Sequence, residues 1–247
     1  MFRRRPLIQI LTLFALSLPA YAFDIPANHN NECVVLLHGL AKSKHSMKKL
    51  DKALQTAGYA TVNYDYPSRS DSIPSLAETH INNALSQCPK ALKIHFVTHS
   101  MGGILVRQYL ADHSIPNLGR VVMLGPPNQG SEVVDKLHNL PGFEWIGGPS
   151  SLQLGTQENS TPAQLGPANF ELGVIAGSRT ANPILSLWLP GSDDGKVTVA
   201  NTKLEGMKQH IVLPVTHPFM MKNRKVIAQV KHFLAQGQFA TETIQGT

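Results

Sequence analysis

The sequence predicts an α/β protein with a mostly parallel central sheet and helices on both of its faces. Three observations point there. Short apolar runs alternate down the chain with stretches of helical periodicity. The clearest run, Cys33-Val34-Val35-Leu36-Leu37, is apolar at every position rather than at every second one, as in a strand buried on both faces. The 247 residues are 42% hydrophobic and 15% charged, without a repeat, long linker or low-complexity tract, which suits one globular domain with a substantial core.

The elements follow in order. The first strand covers 33–37 and ends at His38-Gly39. Residues 46–57 read as a helix with Met47, Leu50 and Leu54 on one face, closed by Gly58. A strand at 59–64, stopped by Pro67, precedes a helix at 76–85. A strand at 92–97, a helix at 102–113 and a strand at 120–124 come next. Residues 126–167 are looser, and 131–167 make a possible small cap insertion. Strands at 170–176 and 209–215 and a helix at 218–236 complete the alternation.

In sheets of this kind ligands sit beyond the carboxyl ends of the strands. Three such ends carry reactive groups. Thr98-His99-Ser100-Met101-Gly102-Gly103 places Ser100 on a tight turn between a buried strand and a helix, where its hydroxyl stands clear of the sheet. A serine hydroxyl attacks only when a base takes its proton. His217 follows the last strand and supplies that base. His99 also sits at a strand end but is adjacent to the serine and points away from it, while His38 belongs to the first loop. The orienting acid is Asp194 in Ser192-Asp193-Asp194-Gly195, with Asp193 as the fallback. Two backbone N–H groups, on Leu40 and on Met101, are expected to receive the oxyanion.

With these residues in view the sequence resembles the α/β-hydrolase family, and within it the small bacterial lipases and esterases. The matching segments are 34–40, 98–103, 194–197 and 216–217, together with Gly125-Pro126-Pro127-Asn128-Gln129-Gly130-Ser131, which is similar to a Pro-x-x-Gly-Ser segment of lipase-like members. The resemblance implies hydrolysis of carboxylic esters through an acyl-enzyme on Ser100, with no cofactor and no metal. Thr98 departs from the family pattern, where Gly or Ala is usual. An acyltransferase or amidase would use the same three residues, and a non-catalytic binding module would not need them.

The substrate is expected to be a small-molecule or lipid ester. Phe143, Trp145, Ile146, Leu152 and Leu154 offer a cap over Ser100, and Ile184, Leu185, Leu187, Trp188 and Leu189 approach the acid loop from the other side. The same side chains would also serve simply to close the core.

The formal charge of +6 invites a nucleic-acid partner, but it is front-loaded. Arg3, Arg4 and Arg5, an apolar run over 7–18 and Pro19-Ala20-Tyr21-Ala22 form a secretory leader cleaved after Ala22. The apolar run reaches about 18 Å as a helix, short of the roughly 30 Å hydrocarbon core, so a retained span is disfavoured. Arg4-Arg5 leaves general and twin-arginine export both open. Removing 1–22 takes 22 basic residues to 19 against 16 acidic ones, and nucleic-acid binding loses its support. The mature protein is expected in the periplasm or outside the cell, at most in transient contact with a membrane surface. There Cys33 and Cys88 are expected to bridge, two buried thiols being the alternative.

Overall fold

A computed structural model describes residues 29, 31–88, 90–138, 140–180 and 183–241, without the side chains of Ile146, Ile184 and Leu185. The proposed leader and its cleavage point at Ala22 lie outside the described residues.

The chain runs β1 (Glu32–Leu37), α1 (Lys48–Thr56), β2 (Ala60–Tyr64), α2 (Ile73–Leu85), β3 (Lys93–His99), α3 (Met101–Asp112) and β4 (Leu118–Leu124). Four short helices fill the looser stretch: α4 (Glu132–Leu137), α5 (Phe143–Gly147), α6 (Pro149–Leu152) and α7 (Thr161–Gln164). Then come β5 (Leu172–Gly177), α8 (Pro183–Ser186), β6 (Gln209–Leu213) and α9 (Arg224–Gln236). The six strands form one sheet in the order β2-β1-β3-β4-β5-β6, with every neighbouring pair parallel.

Alternate strand residues feed two cores. Val35, Leu37, Phe96, Val121 and Met123 pack on the face covered by α2 and α3. Val34, Leu36, Val97, Val122 and Leu124 pack on the opposite face, with Leu50 and Leu54 of α1 and Val230 and Phe233 of α9. This two-sided burial is why the strands are apolar at consecutive positions.

Differences from the expected elements are local. Helix α2 starts at Ile73 because Ser72 accepts the Ser75 N–H and Pro74 falls in the first turn, where its missing N–H costs nothing. The expected last helix is two pieces. A 3-10 segment, His217–Lys222, stops at Asn223, whose side chain caps the N–H groups of Lys225 and Val226 to begin α9. The last strand ends at Leu213, where Val215 N–H turns back onto the Leu213 carbonyl at 2.8 Å. Cys33 and Cys88 form a disulfide joining the start of β1 to the turn after α2. Among the described residues no helix is long and apolar enough to cross a membrane.

Candidate active site

Strand β3 ends at His99 and α3 begins at Met101, so one residue makes the whole turn. Ser100 adopts φ 54° and ψ −126°, a left-handed conformation that costs a non-glycine residue on the order of 1–3 kcal/mol. Its own N–H donates to the Leu124 carbonyl and its carbonyl accepts from Gly103 N–H, both at 2.9 Å. Close packing beneath the turn requires small residues. A Cβ on Gly102 would lie 2.8 Å from the Leu37 carbonyl oxygen, and one on Gly103 would lie 3.2 Å from Thr98 Oγ1. Thr98 therefore occupies room that Gly103 leaves open, which is how a larger residue is accommodated before the serine. Its hydroxyl is buried and makes no hydrogen bond.

His217 opens the 3-10 segment after β6. Its Nδ1 lies 2.7 Å from Asp194 Oδ2, and its backbone N–H donates to the Asp194 carbonyl at 2.9 Å. Asp194 is fully buried, and its second oxygen, Oδ1, accepts the N–H groups of Lys196 (3.0 Å) and Val197 (2.9 Å). A carboxylate so surrounded by donors is held in one orientation. Asp193 faces another way. It accepts from Gly195 N–H at 2.7 Å and from the Ser186 hydroxyl on α8, and so braces the loop. Of the two adjacent acids, only Asp194 meets a histidine.

The other two strand-end histidines have separate places. His99 is buried, its Nε2 3.0 Å from the His217 carbonyl oxygen and its ring centroid 4.6 Å from that of His217. Burial, reinforced by the neighbouring His217, holds His99 well below the usual histidine pKa, so the ring is neutral and donates Nε2–H to that carbonyl. His38 is fully buried and stacks on Tyr66 with centroids 4.2 Å apart. The Tyr66 hydroxyl donates to the His38 carbonyl at 2.6 Å, fixing the loop that carries Gly39 and Leu40. Among the described residues, neither Leu40 N–H nor Met101 N–H donates to another protein group.

Ser100, His217, Asp194, Gly39 and Leu40 line one cavity of about 580 Å³. Its apolar wall is Val133, Val134, Leu137, Leu140, Phe143 and Leu154. Phe143 and Leu154 are where the sequence led us to expect them. Trp145 is not: it is 88% exposed and borders a neighbouring groove. Phe143 and Trp145 lie two residues apart on α5, about 200° around a helix, so they cannot both face inward. Leu152, Leu187 and Trp188 are likewise exposed, and Leu189 is buried. Ile146, Ile184 and Leu185 have side chains outside the described residues. Helix α4 supplies wall residues that sequence reasoning missed, although Val133, Val134 and Leu137 have helical spacing. Among the described residues no three His, Cys, Asp or Glu side chains are grouped to hold a metal ion.

Comparison with known proteins agrees with this architecture. A family profile described as alpha/beta hydrolase fold matches residues 32–147. Mature lipase BlEst2 of Bacillus licheniformis superposes with a TM-score of 0.66 at 18% identity, over 85% of this chain and 93% of the lipase. The metagenomic carboxyl esterase MGS0156 does so with a TM-score of 0.58 at 18% identity, over 77% and 65% of the two chains. Phospholipase PlaB of Legionella pneumophila gives 0.54 at 17% identity, over 70% of this chain and 45% of PlaB. At these identities the likeness is one of fold. Among curated protein sequences none matches this chain. The chain has the α/β-hydrolase fold. Within that fold it resembles bacterial lipases and esterases.

Proposed function

We propose that this protein is an exported hydrolase of carboxylic esters that forms an acyl-enzyme on Ser100 and uses no cofactor. The observation that carries the reading is the buried Asp194–His217 pair, 2.7 Å apart on the same cavity as the strained Ser100 turn. With Nδ1–H donated to Asp194, His217 keeps Nε2 as its basic nitrogen. Ser100 Oγ attacks the ester carbonyl carbon as Nε2 takes the hydroxyl proton. The carbonyl electron pair moves onto oxygen, which the N–H groups of Leu40 and Met101 receive. Collapse expels the alcohol, and the proton on Nε2 goes to it. Water repeats the sequence on the acyl-enzyme, releasing the acid and restoring Ser100.

The apolar wall suits an acyl chain, and α4–α7 act as a small cap over it. Small-molecule or lipid esters are the substrates, and nucleic acid is not a partner. The leader at 1–22 and the Cys33–Cys88 bridge support export to an oxidising compartment. Exposed Leu140 and Trp145 would serve transient contact with a membrane surface.

Labelling with a fluorophosphonate tests the nucleophile. The wild type is expected to be labelled and to hydrolyse p-nitrophenyl esters, and Ser100→Ala to do neither. Undiminished labelling of Ser100→Ala overturns the assignment. The exported protein is expected to begin at Phe23 on N-terminal sequencing.

A further inference from the structure

Two lysines line the Ser100 cavity, and ester hydrolysis as such uses neither. Lys42 stands two residues after Leu40, and Lys196 two residues after Asp194. Both are anchored at the backbone. Lys42 N–H donates to the Gly39 carbonyl at 3.2 Å. Lys196 N–H donates to Asp194 Oδ1 at 3.0 Å, and its carbonyl accepts from Ser131 Oγ at 2.8 Å. The loops that carry Leu40 and Asp194 thus also bring two lysines to the same cavity.

Neither ammonium makes an ion pair among the described residues, whereas Lys208 pairs with Glu171. Asp194 is no partner, since its two oxygens are taken by His217 and by two N–H groups. Partial desolvation of the exposed Lys196 holds it below the usual lysine pKa, and the Lys42 charge pushes it down further against the pull of Asp194. The field of Lys42 also reaches His99. Two like charges beside an apolar wall repel each other, and an anion placed with them removes that repulsion.

A second cavity, of about 840 Å³, shares Ala41 and Lys42 with the first and continues past Ser68, Ser70 and Trp145. An apolar pocket and a more polar one therefore meet at a lysine. That shape suits an amphiphile with an acyl chain on one side and a charged group on the other.

We infer that Lys42 and Lys196 form an anion subsite beside Ser100, and that the preferred substrates are acyl esters bearing a phosphate or carboxylate. The substrate half of this inference rests on the ester-hydrolase reading, while the subsite itself does not.

Calorimetry with n-octyl phosphate and n-octanol reads the subsite without any turnover. The wild type is expected to bind the phosphate at least about tenfold more tightly, an advantage of about 1.4 kcal/mol. The variant Lys42→Gln/Lys196→Gln is expected to lose that advantage, and Lys42→Glu to invert it. Equal binding of both probes, or an advantage that survives the double substitution, overturns the subsite. Two ester pairs locate the charge. Mono-4-nitrophenyl glutarate against 4-nitrophenyl butyrate places it on the acyl side. Dihexanoylphosphatidylglycerol against dihexanoylglycerol, both below micelle formation, places it on the alcohol side. A preference for the anionic ester in one pair, lost in the double variant, supports the substrate class; turnover without preference in either pair overturns it. If the wild type cleaves no ester at all, the hydrolase reading and this substrate class fail, and calorimetry still decides the subsite.

Discussion

Gly125 lies against Asp194 so closely that a Cβ there would stand 2.9 Å from Asp194 Oδ2 and 3.1 Å from His217 Nδ1. Its φ of +54° also disfavours any side chain. The end of β4 thus closes in on the Asp194–His217 pair, and the same Cβ would stand 3.0 Å from Met220 Sδ. Gly125→Ala is expected to displace the carboxylate and lower kcat by about tenfold or more, since small misplacements in a reacting constellation are costly. Unchanged kcat with an unchanged circular dichroism spectrum would show that this contact does not position the pair.

The two adjacent aspartates are expected to separate cleanly. Asp194→Asn removes the acceptor of His217 Nδ1–H, favours the wrong tautomer and should cost about 10³–10⁴-fold in kcat. Asp193→Asn should cost less than about tenfold in kcat and act mainly on stability, because Asp193 holds Ser186 and Gly195 instead. Esterase kinetics on both variants decide it, and a larger loss at Asp193 would exchange their roles.

Arg107 ties α3 to the segment that forms the apolar wall. Its buried guanidinium donates to the carbonyls of Asn128 (2.9 Å), Pro162 (3.1 Å) and Gly166 (2.9 Å) and makes no ion pair among the described residues. Burial lowers its pKa to about 10, which leaves it charged at neutral pH. Arg107→Met should strand these carbonyls and cost about 3 kcal/mol, lowering Tm by roughly 6–12 °C. A thermal melt within a degree of the wild type would refute the clamp.

Acid should destabilise the fold through His99. Its folded-state pKa is held far below the usual value by burial, with His217 adding to the effect. The unfolded chain then binds the extra proton as pH falls below about 6.5, so stability decreases in that direction by up to about 1.4 kcal/mol per unit for this one group. Tm is expected to fall from pH 6.5 to pH 5, and less steeply in His99→Gln. Parallel slopes for the two proteins would remove His99 as the cause.

The Cys33–Cys88 bridge closes a separation of 55 residues at the amino end of β1, away from the strand ends that carry Ser100 and His217. Cys33→Ala/Cys88→Ala is expected to lose about 3–4 kcal/mol while keeping KM at 25 °C. Two free thiols in the exported protein would contradict the bridge.

The strand–helix order was legible because it rests on local pattern. Residues 34–37 are apolar without interruption because both sheet faces are covered, and that shows in one dimension. Helix ends were less legible, since the break at Asn223 depends on a side chain choosing to cap rather than continue. The inward face of α4 and the exposure of Trp145 were illegible for a related reason. In helices this short, neighbours decide which side turns inward.

By itself the sequence determined the alternating architecture, the tight turn at Ser100 and the histidine after the last strand, because each is written in a few consecutive residues. Only the tertiary structure showed that Asp193 and Asp194 have different neighbours. Adjacent carboxylates read alike in a chain, and they part only when one meets His217 at 2.7 Å and the other meets Ser186. It also brought Lys42 and Lys196 to one cavity from loops more than a hundred residues apart, because parallel strands deliver their carboxyl ends to the same edge of the sheet.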